Sequence, residues 1–179
     1  MKTSRRHVAL AVLCTLGYLS ATAEDVRLEG SFVNPSRSDT AITAAIDKSV
    51  ADFNFIARPI ARSRLKKANP PITKAAFFRD GAGIVVTLGI QKPARAAPGG
   101  STVKWTRDDG ETFDVAFSWE GATLVQAFTA SDGIRYNRYA LSGDGNTLTV
   151  DVTLRSDMLK IPVNYQFMMS RQINNDLNK

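Results

Sequence analysis

The chain has 179 residues and a formal net charge of +6, with one histidine, His7, and one cysteine, Cys14. Both lie in the first 23 residues with the cations Lys2, Arg5 and Arg6, so the remaining 156 residues carry +3 and neither histidine nor cysteine. For that part of the chain, the composition excludes disulfides, metal sites with histidine or cysteine ligands, and nucleophiles that depend on either residue. A charge of +3 does not indicate a nucleic-acid partner.

Residues 1–23 have the pattern of a cleaved export signal. A basic start containing Arg5 and Arg6 precedes an apolar run, Val8–Leu19, that is too short to span a membrane. Ala21–Ala23 is a small-x-small cleavage site, so the mature chain is expected to begin at Glu24. We predict a periplasmic or secreted protein with no stable membrane insertion after cleavage. Export by the Sec route is expected, and the paired arginines leave the twin-arginine route open.

A first strand and a helical insert follow the signal. The strand is predicted at Val26–Val33, and the insert covers about residues 39–67 because apolar residues recur there at spacings of three and four. These apolar residues are Ile42, Ile46, Val50, Phe53, Ala57 and Ile60. Pro59 is expected to break or kink the helix after Ala57, and a second short helix that ends before Asn69 is expected to carry Ile60, Ala61 and Leu65. Two interpretations stay open: a lid over a barrel mouth, or a helix packed outside the barrel or closing its end as core.

Cations cluster at the end of the insert, at Arg58, Arg62, Arg64, Lys66 and Lys67. One interpretation is a contact with an anion or an acidic lipid. The other is a solvated helix terminus, where cations complement the backbone dipole. Because no aromatic residue lies between the cations, the run does not indicate base stacking with a nucleic acid.

The rest of the chain is predicted to be β-structure. Strands are expected at Lys74–Arg79, Ile84–Leu88 and Ser101–Thr106, and four or five more are expected within Glu111–Arg171. Gln91–Gly100 contains two prolines and several alanines and is predicted to be an exposed, mobile loop.

Period-2 alternation and tight turns define the fold class. Thr147–Leu154 and Ile161–Met169 alternate strictly between apolar and other residues. Turns with glycine, at Asp109-Gly110, Glu120-Gly121 and Asp132-Gly133, separate the strands. We predict a mostly β protein: an antiparallel up-and-down β-barrel of about 8–10 strands, with an α-helical segment between the first and second strands. Residues 24–179 are expected to form one domain.

Three features resemble the calycin group, the lipocalins and fatty-acid-binding-protein-like barrels. Gly30–Phe32 resembles the Gly-x-Trp of the first strand, the early helices resemble the cap of the lipid-binding barrels, and simple hairpins follow. The resemblance implies a barrel interior that binds a small hydrophobic molecule. It also implies that Arg171 packs against Phe32, as a lipocalin arginine packs against its aromatic residue. Tyr165 follows Val163 rather than the arginine of the Arg-x-Tyr motif, so carboxylate capture in the family's manner is not implied.

The strand predicted at Ile134–Leu141 carries arginine and tyrosine on both faces, so at least one arginine is expected to face the interior. Our hypothesis is that Arg138 and Tyr136 form a polar spot that orients an anionic or carbonyl ligand. The alternative is an edge strand, or one covered by the helix. Five residues are predicted to contact the ligand: Tyr136, Arg138, Tyr165, Phe117 and Phe128.

The function predicted from these features is non-enzymatic binding or carriage of a small hydrophobic ligand. We predict no catalytic residue, no metal, no cofactor and no nucleic-acid partner. Asp108–Glu111 is interpreted as an ordinary hairpin turn rather than a calcium site. Two alternatives stay open: a barrel enzyme that uses tyrosine, arginine and carboxylates on a bound lipid or isoprenoid, and a solid-core interaction or inhibitor module. The sequence does not predict an oligomeric state.

Overall fold

The computed structural model describes residues 28–35 and 39–172, so the predicted export signal lies outside the described residues. It contains ten strands and two helices in these residues. The first five strands are β1 (Gly30–Val33), β2 (Lys74–Asp80), β3 (Gly83–Leu88), β4 (Ala94–Ala96) and β5 (Val103–Thr106). The other five are β6 (Thr112–Glu120), β7 (Thr123–Ala130), β8 (Gly133–Leu141), β9 (Thr147–Ser156) and β10 (Val163–Arg171). The helices are α1 (Asp39–Ser49) and α2 (Ala57–Ala68).

All ten strands form one antiparallel sheet that curls into a nearly closed barrel. Its order is β4-β3-β2-β1-β10-β9-β8-β7-β6-β5. Strands adjacent in sequence pair, except β4 and β5, and β1 pairs with β10. Two contacts bridge the seam between β4 and β5: Gly99 N–H donates to the Phe117 carbonyl at 2.8 Å, and Trp105 Nε1 donates to the Pro93 carbonyl at 3.1 Å. The predicted up-and-down barrel, with helices between its first two strands, is confirmed.

The helical insert is two helices, and the second carries Ile60, Ala61 and Leu65 and ends before Asn69, as expected. α1 ends at Ser49, and the amide oxygen of Asn54 accepts hydrogen bonds from the N–H groups of Ile56 and Ala57 to begin α2. Pro59 lies in the first turn of α2, where its missing N–H needs no partner, so the predicted break after Ala57 is wrong. Neither described helix is long and apolar enough to cross a membrane.

One hydrophobic core fills much of the barrel. Alternate residues of the strands point inward, and α1 packs against β10 through Ile42 and Ile46, both buried. The prediction of an irregular loop over Gln91–Gly100 is wrong in part, because Ala94–Ala96 forms β4. The two alanines of that strand are buried against β3 while Arg95 points outward, so alternation places the short strand in the sheet.

Candidate ligand-binding cavity

A cavity of about 560 Å³, partly open to solvent, lies at the end of the barrel where α2 crosses the β5–β6, β7–β8 and β9–β10 connections. We call this end the mouth. The apolar residues from α2 are Ala57, Ile60, Ala61, Leu65 and Ala68, and those from the strands and turns include Phe113, Phe128, Ala130, Ile134, Leu154 and Leu159. The volume falls within the range of ligand pockets, which hold a small molecule among mostly apolar side chains.

The cover of this cavity is α2, which we call the lid. Its apolar residues fall three and four positions apart and so share one helix face, which turns toward the barrel. Of the lid residues, Leu65 packs against the core, whereas Ile60 is 53% exposed. The lid therefore presents an apolar surface that the barrel does not itself cover.

Arg135 of β8 lines the cavity, and we call its position the floor. Polar side chains beside it hold its guanidinium in place. Its guanidinium donates to the Asn137 amide oxygen at 2.8 Å, to the Asn69 amide oxygen at 3.0 Å and to the Tyr165 hydroxyl at 3.2 Å. Tyr165 also donates to the Asn69 oxygen at 3.1 Å. We call Arg135, Asn69, Asn137 and Tyr165 the Arg135 cluster. Within the described residues, Arg135 forms no ion pair with a carboxylate, so all its partners are neutral.

Hydrogen bonds continue from the Arg135 cluster into the barrel. Asn137 Nδ2 donates to Gln126 Oε1 at 3.1 Å, and the Tyr139 hydroxyl donates to the same oxygen at 2.6 Å. Gln126, Asn137 and Tyr139 are all buried, and burial raises the pKa of the Tyr139 hydroxyl. Such a network holds its members in one geometry because each buried polar atom would be costly to leave without a partner.

The rim of the cavity carries an ion cluster on the β5–β6 turn. Arg107 donates to both carboxylate oxygens of Asp109, at 2.9 and 2.8 Å, and also pairs with Glu111. The Arg107 guanidinium lies 5.3 Å from the centroid of the Phe113 ring. The hydrogen bond from Arg107 lowers the pKa of Asp109 to about 2, and the positive charge of Lys67 on the lid contributes to the same shift.

The structure distributes the five predicted ligand contacts between the cavity, the core and the outer surface. Phe128 lines the cavity, Tyr165 belongs to the Arg135 cluster, and Phe117 lies in the core. Tyr136 and Arg138 alternate with the buried Asn137 and therefore occupy the outer face.

The expected interior position of Arg138 and Tyr136 is therefore corrected. Arg138 pairs with Glu120 at 3.2 Å, and its guanidinium lies 5.4 Å from the centroid of the Tyr136 ring on the outside of the barrel. The expectation that one arginine of this strand faces inward is confirmed, but that residue is Arg135. Gln126 of β7 points inward and is paired with Asn137 of β8, so Asn137 also points inward. Because residues two positions apart share a strand face, Arg135 lies on the same inward face as Asn137.

Comparisons with known proteins support the fold. No protein-family model matches the sequence, and no curated protein matches it. A secretory abundant heat soluble protein from Ramazzottius varieornatus matches with a TM-score of 0.55 at 7% identity, over 82% of this chain and 96% of that one. A fatty acid transporter named REP1-NXSQ matches with a TM-score of 0.53 at 13% identity, over 83% and 98% of the two chains.

A Schistosoma mansoni fatty acid binding protein in complex with arachidonic acid matches with a TM-score of 0.52 at 12% identity, over 84% of this chain and 99% of that one. At these identities the likeness concerns the fold. The ten antiparallel strands, the order of the sheet and the helix pair after β1 agree with it. The chain therefore has the fold of the fatty-acid-binding barrels of the calycin group.

Proposed function

We propose that the protein binds a small apolar ligand with an anionic head, non-enzymatically, in the cavity beneath the lid. The observation that carries the proposal is the pairing of an apolar cavity of about 560 Å³ with a floor at Arg135, whose partners are all neutral. The half-buried guanidinium of Arg135 favours an anion because a charged acceptor forms stronger hydrogen bonds than an amide or a phenol. The apolar walls contributed by Phe128, Leu154 and the lid suit the ligand's body.

The similar structures add support of a general kind. One is described as a fatty acid transporter and another as a fatty acid binding protein holding arachidonic acid. An ionised fatty acid has the two parts that this cavity would recognise, an apolar chain and an anionic head. The chemical class proposed here is therefore an amphiphile with a single anionic head.

A fluorescent anionic probe, 1-anilinonaphthalene-8-sulfonate, tests the proposal. Ala130 lines the cavity, and Ala127 lies on the same strand with its side chain on the opposite face. Ala130→Phe is expected to weaken probe binding roughly tenfold or more because it fills apolar volume, whereas Ala127→Phe adds the same bulk outside and should leave affinity unchanged. Lack of binding to the unmodified protein, or equal effects of the two substitutions, would contradict the proposal.

A ligand acquired during synthesis gives an independent test. Organic extraction of the purified protein followed by mass spectrometry is expected to release an anionic amphiphile in a stoichiometric amount. The same extraction from Ala130→Phe should release much less.

A solid-core interaction or inhibitor module is the second candidate, and the packed interior of the barrel favours it. Phe32, Phe117 and Tyr139 are buried in the core and do not line the cavity. Under this alternative the cavity stays empty, and the protein neither binds the probe nor yields an extracted lipid.

Export is the remaining part of the proposal. It rests on the basic start, the apolar run Val8–Leu19 and the small residues before Glu24. N-terminal sequencing of the protein recovered from the periplasm or the medium is expected to begin at Glu24. Recovery only from the cytoplasm, with residues 1–23 still attached, would contradict export.

A further inference from the structure

The end of the lid is tied directly to the floor of the cavity by one buried side chain. Asn69 follows the last residue of α2, and its side chain is 2% exposed. Its backbone N–H and its amide Nδ2 both donate to the Leu65 carbonyl, at 3.0 and 2.8 Å. Its amide oxygen accepts from Arg135 and Tyr165. Asn69 therefore closes the last turn of the lid and connects that turn to β8 and β10.

The other contacts of the lid hold it less directly to the barrel. Among the described residues, none of the α2 side chains is fully buried, and Leu65 is the one that packs against the core. Arg62 pairs with Asp47 of α1 at 2.7 Å, and Arg58 donates to carbonyl groups before α2. These polar contacts join α2 to α1 and the intervening turn. The end of α2 is joined to Arg135 at the cavity floor by Asn69 and, more weakly, by the Ala68 carbonyl.

The same guanidinium group serves the lid and, under the proposed function, the ligand. Nη1 of Arg135 donates to the Asn69 oxygen at 3.0 Å and, more weakly, to the Ala68 carbonyl at 3.5 Å. Both acceptors belong to the end of the lid and both are neutral. An anionic oxygen that reaches Nη1 of Arg135 accepts a stronger, charge-assisted hydrogen bond than the Asn69 oxygen or the Ala68 carbonyl, and it competes with both. An uncharged head has no such advantage.

We propose that Asn69 is a positioning residue that couples ligand charge to the lid: an anionic head at Arg135 displaces the Asn69 oxygen and loosens the last turn of α2. This inference rests on the proposed function. A ligand shifts a conformational equilibrium only by its difference in affinity for the two states. Here an anion prefers the state in which Asn69 has left Arg135, and a neutral ligand of the same shape prefers neither.

Dodecanoate and 1-dodecanol, which share an alkyl chain and differ in the charge of the head, test the coupling at neutral pH. Calorimetry measures whether each binds, and hydrogen exchange of the amides at residues 65–69 measures the opening of the last turn. Dodecanoate is expected to speed exchange there roughly tenfold, the ratio expected when a charged acceptor replaces a neutral one. Dodecanol at equal occupancy is expected to leave exchange unchanged.

Two substitutions separate the coupling from a general loss of structure. Arg135→Gln keeps a donor for Asn69 but removes the charge, so dodecanoate should lose its advantage over dodecanol and its effect on exchange. Asn69→Asp places a carboxylate on Arg135 in advance. It is expected to weaken dodecanoate binding about tenfold more than it weakens dodecanol binding. A merely structural role of Asn69 would affect both ligands equally.

The outcomes distinguish this inference from the function on which it rests. If neither probe binds, the proposed function fails and the coupling fails with it. If both probes bind and change exchange at residues 65–69 alike, the coupling is overturned while ligand binding stands. Dodecanoate binding to Asn69→Asp with unchanged affinity would also overturn the coupling.

Discussion

The guanidinium carbon of Arg171 lies 4.7 Å from the centroid of the Phe32 ring, at the point where β10 pairs with β1. Arg171 Nη1 donates to the Glu29 carbonyl at 2.5 Å, and Nε donates to the Gly145 carbonyl at 2.7 Å. One side chain thus joins the first strand, the last strand and the β8–β9 turn. The contact between Arg171 and Phe32 that the family resemblance implied is confirmed.

Gly30 makes room for this contact. Its φ is +129°, and a Cβ atom at this position would lie 2.5 Å from Nη1 of Arg171. Moving the guanidinium away would break its hydrogen bonds to the Glu29 and Gly145 carbonyls. The Gly-x-Phe of the first strand therefore has a physical meaning here: the glycine admits the arginine, and the phenylalanine packs against it.

Loss of the Arg171 side chain is expected to destabilise the barrel. Arg171→Met should lower the free energy of unfolding by about 2–4 kcal/mol, because it removes two hydrogen bonds from a charged donor and a cation–π contact. Urea denaturation followed by tryptophan fluorescence measures the change. Arg155→Met is the matched control: Arg155 is exposed, and its loss should change the free energy of unfolding by at most about 0.5 kcal/mol.

A double-mutant cycle measures the coupling energy between Gly30 and Arg171. Gly30→Ala should destabilise by about 1–3 kcal/mol, through its positive φ and through displacement of the guanidinium. In the Arg171→Met variant there is no guanidinium to displace, so Gly30→Ala causes only backbone strain. It should therefore lower the free energy of unfolding by less than it does in the unmodified protein. Additive effects would contradict the close approach of the two residues.

Alkaline pH is expected to destabilise the protein through Tyr139. The buried hydroxyl has a raised pKa in the folded state, so above about pH 10 the unfolded state releases a proton that the folded state keeps. This contribution to stability is present below the unfolded pKa and declines at higher pH, by up to about 1.4 kcal/mol per pH unit. The free energy of unfolding of the Tyr139→Phe variant should decline less steeply as the pH rises.

Denaturation curves between about pH 9 and 11 measure this slope. Tyr139→Phe is also expected to lower stability at neutral pH by about 1 kcal/mol, since the hydroxyl donates to Gln126. Tyr136→Phe controls for the loss of a tyrosine from the outer face of the same strand. A Tyr139→Phe slope equal to that of the unmodified protein would refute the assignment.

The two arginines of β8 should differ in ligand binding. Arg138→Met removes an exposed ion pair with Glu120 and is expected to change stability by at most about 1 kcal/mol and probe affinity not at all. Arg135→Met is expected to weaken binding of an anionic probe roughly tenfold. Fluorescence titration of both variants measures the difference. A larger loss of affinity in Arg138→Met would restore the role for Arg138 suggested by the sequence.

The ion cluster at the rim gives a prediction on acid titration. Arg107 lowers the pKa of Asp109 to about 2. The stabilisation from this ion pair is therefore fully present at pH values above the ordinary carboxyl pKa of 3.8, and it is lost as the pH falls through about 2. Arg107→Gln should raise the pKa of Asp109 toward its ordinary value near 3.8. Carbon-detected NMR of the side-chain carboxyl follows the titration directly, and Lys104→Gln, which removes a cation paired with Asp114, is the control.

The sequence by itself determined the barrel, because strand alternation and glycine turns are local. Thr147–Leu154 alternates strictly and forms most of β9, and Asp132-Gly133 lies at the β7–β8 turn. The spacing of apolar residues determined that helices lie between the first two strands. Such patterns act over a few residues and are the same whatever the rest of the chain does.

Tertiary structure decided which face of β8 points inward and where the cavity lies. Both faces of that strand carry arginine and tyrosine, so the residue pattern of the strand did not indicate which face is buried. The inward position of Arg135 follows from the pairing of β8 with β7, in which Arg135 lies opposite Phe128 and Asn137 lies opposite Gln126. Asn69 and Arg135 meet across 66 positions of sequence. No local pattern records such a contact, because it forms only when the barrel closes and the lid docks on its mouth.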